Sequence, residues 1–194
     1  MREPGARTNV EEVVLYLVVG LPGAGKTTRA KELEVSEAAL RLTPDEWQQA
    51  IFREDGPTRW RSAERAGQRD RIEGKLAELG MRAARLGVDV ILDFGLWSRD
   101  ERSALRWIAR SLGVQTQVVY LPVDHEEQVR RIRSRYDTEP GQFLMTDAEL
   151  AQWQLQFEAP DEQELSGREI PPVPPGHPTW AHWASERWPS WPGR

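Results

Sequence analysis

Val13-Val14-Leu15-Tyr16-Leu17-Val18-Val19-Gly20-Leu21-Pro22-Gly23-Ala24-Gly25-Lys26-Thr27 is the stretch whose reading decides the fold. An unbroken apolar run rich in valine reads as a strand buried on both faces. It turns into a segment that fits G-x-x-x-x-G-K-[ST] at every fixed position, and helix-forming residues follow from Thr28 to Leu33. Gly20, Gly23 and Gly25 let the backbone wrap so that its N–H groups point inward at phosphate oxygens. The N-terminus of the following helix adds about half a positive charge at the same spot. Gly20, Gly23, Ala24, Gly25, Lys26, Thr27 and Thr28 are therefore the expected phosphate-binding set. Lys26 reaches toward the β- and γ-phosphates, and the Thr27 hydroxyl is placed to ligate Mg²⁺. A glycine-rich turn with a solvated lysine is the plainer alternative, but the strand before and the helix after supply the context that phosphate binding requires.

The chain has 194 residues, enough for one α/β domain with a tail. Its net charge of −5 argues against avid, nonspecific nucleic-acid binding. Lysine occurs only at positions 26, 31 and 75, so the positive charge is nearly all arginine, a skew that a GC-rich genome also produces. With no cysteine, a disulfide framework, a thiolate zinc site and a cysteine nucleophile are excluded. Val13–Val19 is too short to span a bilayer, no signal peptide is evident, and a cytoplasmic location is expected.

Outward from the quoted stretch, residues 1–11 read as a loose leader, 12–165 as one domain and 166–194 as a Pro/Trp-rich tail. A first helix runs from Lys26 to about Val35. Ala39–Leu42 is a short second strand that ends at Thr43-Pro44-Asp45, and Glu46–Phe52 is a helix with Trp47 and Ile51 on one face. A loop over 53–61 precedes a long helical pattern from Ser62 to Leu86. Ile72, Leu76, Leu79 and Ala83 share one side of it, and Gly67, Gly74 and Gly80 are candidate break points. Val88–Asp93 is a third strand and Val114–Leu121 a fourth. Ser98–Glu101, Asp124–Glu127 and Thr146–Glu149 each spell a capping box that opens a helix. A Gly/Pro turn at Glu139-Pro140-Gly141 separates the last two of those helices. Strands alternating with helices imply a parallel sheet with ligands at the carboxyl ends of the strands. Beyond Ile170, prolines alternate with Trp180, Trp183, Trp188 and Trp191, an aromatic density unusual for a solvated linker.

Three groups can carry chemistry beside the turn. Asp45, just past the second strand, suits a general base for an attacking hydroxyl or, equally, a helix N-cap. Asp93, at the end of the third strand, suits a Walker-B-type partner of Mg²⁺ or a polar strand terminus. Arg131 and Arg135 share a helix face and can close over a triphosphate, while a solvated basic face paired with Glu126, Glu127 and Asp137 is the alternative. His125, His177 and His182 are scattered and are expected to form no metal set.

With these residues laid out, the chain resembles the P-loop kinases that include polynucleotide 5′-kinase and the zeta-toxin kinases. The likeness runs from about Val13 to Pro160. It is carried by Gly20–Thr27, Leu42-Thr43-Pro44-Asp45, Val90 to Arg99, Arg131-x-x-x-Arg135, and the segment from Pro140 to Pro160. The resemblance implies a three-layer α/β sandwich with a parallel sheet of four to five strands and an Arg-bearing lid. It implies ATP with Mg²⁺ as donor, a hydroxyl acceptor, Asp45 as general base, and Arg131 and Arg135 as lid arginines. Polynucleotide kinase-like members often keep an arginine three residues after the aspartate, and this chain has Gln48 there, with Arg53, Arg59 and Arg61 as possible substitutes. A small-molecule acceptor is therefore expected ahead of a polynucleotide 5′-hydroxyl. A rival of another class is an ATP-binding switch protein whose Trp/Pro tail engages a partner.

Overall fold

The valine-rich run forms one of the two inner strands of a four-stranded, all-parallel sheet in the order β2-β3-β1-β4. The computed structural model describes residues 12–52, 63–138 and 145–192. The expected leader, the loop with Arg53, Arg59 and Arg61, and the Pro140 turn lie outside the described residues. β1 (Val14–Val19) pairs with β3 (Val90–Gly95) on one edge and with β4 (Gln115–Tyr120) on the other, while β2 (Leu40–Leu42) closes the β3 side. Eight described helices surround the sheet: α1 (Lys26–Ser36), α2 (Pro44–Phe52), α3 (Ala63–Arg85), α4 (Arg99–Ser111), α5 (His125–Thr138), α6 (Asp147–Gln156), α7 (Glu162–Leu165) and α8 (Trp180–Arg187). None of the described helices is long and apolar enough to cross a membrane.

The two faces of β1 explain why the run is apolar throughout. Leu15, Leu17 and Val19 point into the larger core with Val90, Leu92, Leu76, Met81, Leu105 and Ile108. Tyr16 and Val18 point the other way, onto Ala30, Leu33 and Ile91. Helices thus cover both faces, as a three-layer sandwich requires.

Three expectations change. α3 runs unbroken through Gly67, Gly74 and Gly80. Two of these glycines mark close approaches: a Cβ on Gly80 would sit 3.1 Å from Val90 and 3.3 Å from Leu42, and one on Gly74 would sit 3.0 Å from the Trp188 Cβ. Leu79 is 39% exposed, because the row facing the sheet is Ile72, Leu76, Ala77, Gly80, Met81 and Ala84. Trp47 and Ile51 do share a face, but it points outward, at 46% and 57% exposure.

The Pro/Trp-rich segment packs on α3 and α4. Thr179 accepts a hydrogen bond from the His182 backbone N–H and caps α8, a helix that the proline-rich composition concealed. Trp180, Ala184 and Trp188 are buried in the larger core. Trp183 packs edge-on against Trp180 and Trp188, with ring centroids at 5.8 and 6.1 Å. Trp180 donates its indole N–H to the Pro171 carbonyl at 3.0 Å.

One buried ion pair holds the turn after β3. Arg102 of α4 is fully buried and bonds Glu164 of α7 through both oxygens, at 2.8 and 2.9 Å. Its remaining nitrogen donates to the carbonyls of Leu96 (3.0 Å) and Trp97 (3.2 Å). Leu96 is held at φ +43°, a region that a leucine adopts only under such constraint. Removing one member leaves the other charge buried without its partner. Glu164→Gln is therefore expected to lower unfolding free energy by about 3–5 kcal/mol in denaturant titrations, whereas Glu162→Gln on the same exposed helix is expected to change it little.

Candidate active site

Parallel pairing brings the carboxyl ends of β1, β2 and β3 to one edge, so the three loops that follow them are neighbours. The Gly20 N–H donates to the Gly95 carbonyl at 3.3 Å, tying the turn after β1 to the end of β3. A Cβ on Gly20 would meet the Leu121 carbonyl at 2.8 Å, which restricts that position to glycine. Gly23 and Gly25 take φ +81° and +89°, in the left-handed region. Gly25 caps α1 without a side-chain hydrogen bond, and the first turn carries no acidic residue. The first N–H groups of α1 therefore keep their hydrogen-bonding capacity for an anion.

Lys26 is half-buried and donates to the Leu21 carbonyl at 3.0 Å. Burial lowers its ammonium from the ordinary range to about 8, against the opposing pull of Asp93 and Asp45. Asp93 is buried in β3. Burial pushes its carboxyl upward, opposed first by the Lys26 ammonium and then by the nearby Thr27 hydroxyl. Asp93 Oδ2 is buried and has no hydrogen-bond partner among the described residues. A bare carboxylate oxygen next to a threonine hydroxyl is the hard-oxygen donor set that Mg²⁺ takes, so the residues present fit that ion.

Asp45 lies in the first turn of α2, which begins at Pro44 rather than at Glu46. There its carboxylate also complements the positive end of the helix dipole. The Asp45 carboxylate is 64% exposed and ion-paired with Arg69 of α3. Arg69 also donates to the Phe94 carbonyl at 3.2 Å and meets Glu73 at 2.9 Å. Sequence reasoning missed Arg69, because a partner twenty-four positions away on another helix leaves no local spacing signal. Gln48, the position where relatives often carry arginine, is fully buried and donates to the Arg65 carbonyl at 3.0 Å. It braces α2 on α3 rather than facing an acceptor.

The arginines of α5 divide into two sets. Arg130 is ion-paired with Glu127 at 2.6 Å and Arg133 with Asp147 at 2.8 Å, both at the surface. Arg131 also meets Glu127, at 2.5 Å, but its other end donates to the Gly23 carbonyl at 3.2 Å, within the glycine-rich turn. Arg135 lies close enough to Lys26 to depress its ammonium. Gln128, fully buried, joins the same helix to the turn by donating to the Pro22 carbonyl at 3.1 Å. Trp97 flanks the opposite side: it packs 5.8 Å from Trp153 of α6, and its indole nitrogen lies 3.3 Å from where a Gly95 Cβ would be.

The structure also gathers His177, His182 and Glu186 at the surface of α8, although the sequence pointed to no metal set among the histidines. His182 and Glu186 stand one turn apart on α8, and His177 comes in from the segment before it.

A sequence profile of the family described as an AAA domain matches residues 15–160. The chain belongs to this family. No protein of curated function matches it significantly. Among solved structures, a presumed kinase from Chloroflexus aurantiacus J-10-fl aligns with a TM-score of 0.59 at 20% identity, over 87% of this chain and 86% of that one. A chain of the Pnkp1/Rnl/Hen1 RNA repair complex aligns with a TM-score of 0.58 at 16% identity, over 87% of this chain but 50% of its own length. A gluconokinase from Sinorhizobium meliloti 1021 aligns with a TM-score of 0.50 at 14% identity, over 93% and 91% of the two chains. This AAA-domain protein therefore has the fold of the P-loop kinases.

The lowered Lys26 value has a sign that can be tested. Below pH 8 the ammonium is charged and available to a triphosphate, and above it the free protein loses that charge. ATP affinity by calorimetry is expected to be level between pH 7 and 8, then to fall by up to about tenfold per pH unit, with proton uptake on binding.

Proposed function

We propose that this protein is an ATP-dependent kinase that transfers the γ-phosphate to a hydroxyl of a small-molecule acceptor, with Asp45 as general base. The observation that carries the reading is the meeting of Lys26, Asp93 and Asp45 past the ends of three adjacent parallel strands, where both carboxylates act on the Lys26 ammonium and Lys26 and Asp45 act on the Asp93 carboxyl. A phosphate-binding turn alone fits a motor, a switch or a kinase. A carboxylate beside it that is open to solvent on one side is what hydroxyl phosphorylation needs.

In this reading the N–H groups of Gly23, Gly25, Lys26, Thr27 and Thr28 hold the phosphates of ATP, the Ala24 N–H being taken by the Leu21 carbonyl at 3.1 Å, and the Lys26 ammonium lies along the β- and γ-oxygens. Thr27 and Asp93 would hold Mg²⁺, which supplies neutralisation of charge between those oxygens. The acceptor hydroxyl approaches the exposed face of Asp45 and gives its proton to a carboxylate oxygen as the O–P bond forms. Arg69, bound to Asp45, keeps that carboxylate facing the acceptor. Arg131 and Arg135 reach from α5 over the transferring group, where fixed positive charge favours the transition state over the ground state.

Gln48 supports a small acceptor, since its burial on α3 leaves no cation at the position where polynucleotide kinase-like members often place one for an acceptor phosphate. The similarity to the RNA repair chain keeps a polynucleotide 5′-hydroxyl as the alternative. Burial of Trp180 and Trp188 speaks against a switch protein that would use them to engage a partner.

Transfer of labelled γ-phosphate to a metabolite panel, run beside 5′-hydroxyl DNA and RNA, tests the acceptor class. On the acceptor found, Asp45→Asn is expected to keep ATP affinity and lower turnover by roughly 10²–10⁴, and full turnover would remove Asp45 from the mechanism. Lys26→Ala is expected to weaken ATP in calorimetry, and unchanged affinity would contradict its phosphate contact.

A further inference from the structure

The Asp45 carboxylate sits at the end of a connected line of contacts that begins near the C-terminus. Trp188 is fully buried and donates its indole N–H to Glu73 Oε2 at 3.1 Å. Arg187 lies 3.7 Å from the same oxygen and is itself anchored to Asp70 at 2.6 Å and Glu101 at 2.7 Å. The other oxygen of Glu73 meets Arg69 at 2.9 Å, and Arg69 meets Asp45. Glu73 is 5% exposed, so its two oxygens are oriented by these partners rather than by water. Trp188 reaches Glu73 because the neighbouring position on α3 is Gly74, which has no side chain to block the indole.

We propose that the C-terminal segment is a positioning element for Asp45: Trp188 and Arg187 orient Glu73, Glu73 orients Arg69, and Arg69 holds the base carboxylate. None of the first three touches the reacting atoms. Residues 187 and 188 lie beyond the family match at 15–160, so this part of the site is contributed by sequence outside the shared domain. The inference rests on Asp45 acting as base. Misplacing a general base even slightly is costly, because proton transfer depends on hydrogen-bond geometry.

Trp188→Phe deletes the indole N–H while keeping a buried ring, and Glu73→Gln keeps the side-chain shape while removing its charge. The readouts are the NMR signals of the Arg69 Nε–H and the Asp45 carboxyl carbon, and the kinetics of ATP hydrolysis with water as acceptor. Both variants are expected to shift the two signals and to lower kcat about tenfold, with KM for ATP unchanged. A purely structural role would lower the melting temperature and leave the kcat of folded protein alone. Unchanged signals and kcat in folded Glu73→Gln, with Asp45→Asn impaired, overturn the proposal by itself. Full-rate hydrolysis and transfer by Asp45→Asn overturn the base reading, and the proposal with it. Should Glu73→Gln fail to fold, Trp188→Phe carries the same comparison.

A separate observation concerns the surface of α8. His182 and Glu186 are one helical turn apart, and His177 comes in from the preceding turn. One ligand atom from each lies within 4.8 Å of the others, with the His182 Nδ1 3.4 Å from Glu186 Oε1 and the His177 Nδ1 3.6 Å from Glu186 Oε2. Two ligands each about 2.0–2.1 Å from a tetrahedral zinc ion lie about 3.4 Å apart, so side-chain rotation would have to draw the set together to close on one ion. The Nδ1 of His177 is buried and makes no hydrogen bond to the described residues, as a ligand atom kept for a cation would be. We infer that His177, His182 and Glu186 bind a divalent transition metal, with zinc favoured by two imidazoles and one carboxylate. The fourth position faces solvent, and the ion would clasp the proline-rich turn to α8.

Calorimetric titration of metal-free protein with Zn²⁺, and Co²⁺ absorption, test this site. One-to-one binding is expected, weakened at least about tenfold by His182→Ala and by His177→Ala and unaffected by His125→Ala. Absence of binding, or binding that both variants leave unchanged, overturns the site.

Discussion

β1 has a parallel neighbour on each edge, and the geometry of the site depends on that double pairing. Parallel strands deliver their carboxyl ends to the same side. The loops carrying Gly20, Asp45 and Asp93 are therefore brought together by the sheet before any side chain contributes. The pairing also continues one step past the strands, since the Gly20 N–H reaches the Gly95 carbonyl and the Leu121 N–H reaches the Val19 carbonyl at 2.9 Å. Those bonds hold the glycine-rich turn between two neighbours, and a bond from the Ala24 N–H to the Leu21 carbonyl at 3.1 Å closes it internally. A flexible turn would have to be ordered by its ligand, and this one is ordered beforehand.

What the sequence made legible was chemistry written locally. The valine-rich strand, the backbone turn into a helix across Gly20–Thr27, and the capping boxes at Ser98–Glu101 and Thr146–Glu149 form as their spacing spells them. Asp124 caps α5 by accepting from the Glu127 N–H at 2.8 Å, but the Glu127 side chain is taken by Arg130 and Arg131, which hold its carboxyl down at about 2. The box is thus half formed, because ion pairs along the helix outcompeted the backbone N–H. What stayed hidden was pairing between distant residues. Arg69 and Asp45, and Trp188 and Glu73, owe their proximity to packing, which no short window encodes, whereas the His182–Glu186 spacing is local and was hidden only because the proline-rich composition concealed α8. The glycines of α3 misled for a related reason: propensity treats glycine as a weak point in a helix, whereas here two of them admit a neighbour.

The preference for arginine over lysine has a structural use in this molecule. Arg69, Arg102 and Arg187 each bridge two or more separate partners in fixed directions, across α2, α3, α4, α7, α8 and the turn after β3. A planar guanidinium can do this while buried, and a lysine ammonium on a flexible stem cannot. Lys26 is the contrasting case. A compact charge on a movable stem suits a group that, in the proposed reaction, releases the Leu21 carbonyl and turns to a phosphate.

Gly74 carries a consequence that reaches beyond this molecule. It borders Trp188 and the Trp191 backbone so closely that no larger residue fits without displacing them. In a homologue that ends before this segment, the same helix position faces open solvent, and selection there is free to install alanine or leucine for better helix formation. The identity of one residue in the middle of α3 should thus covary, across lineages, with the presence of an aromatic C-terminal extension. A single internal position then records whether a distant stretch of chain was gained or lost.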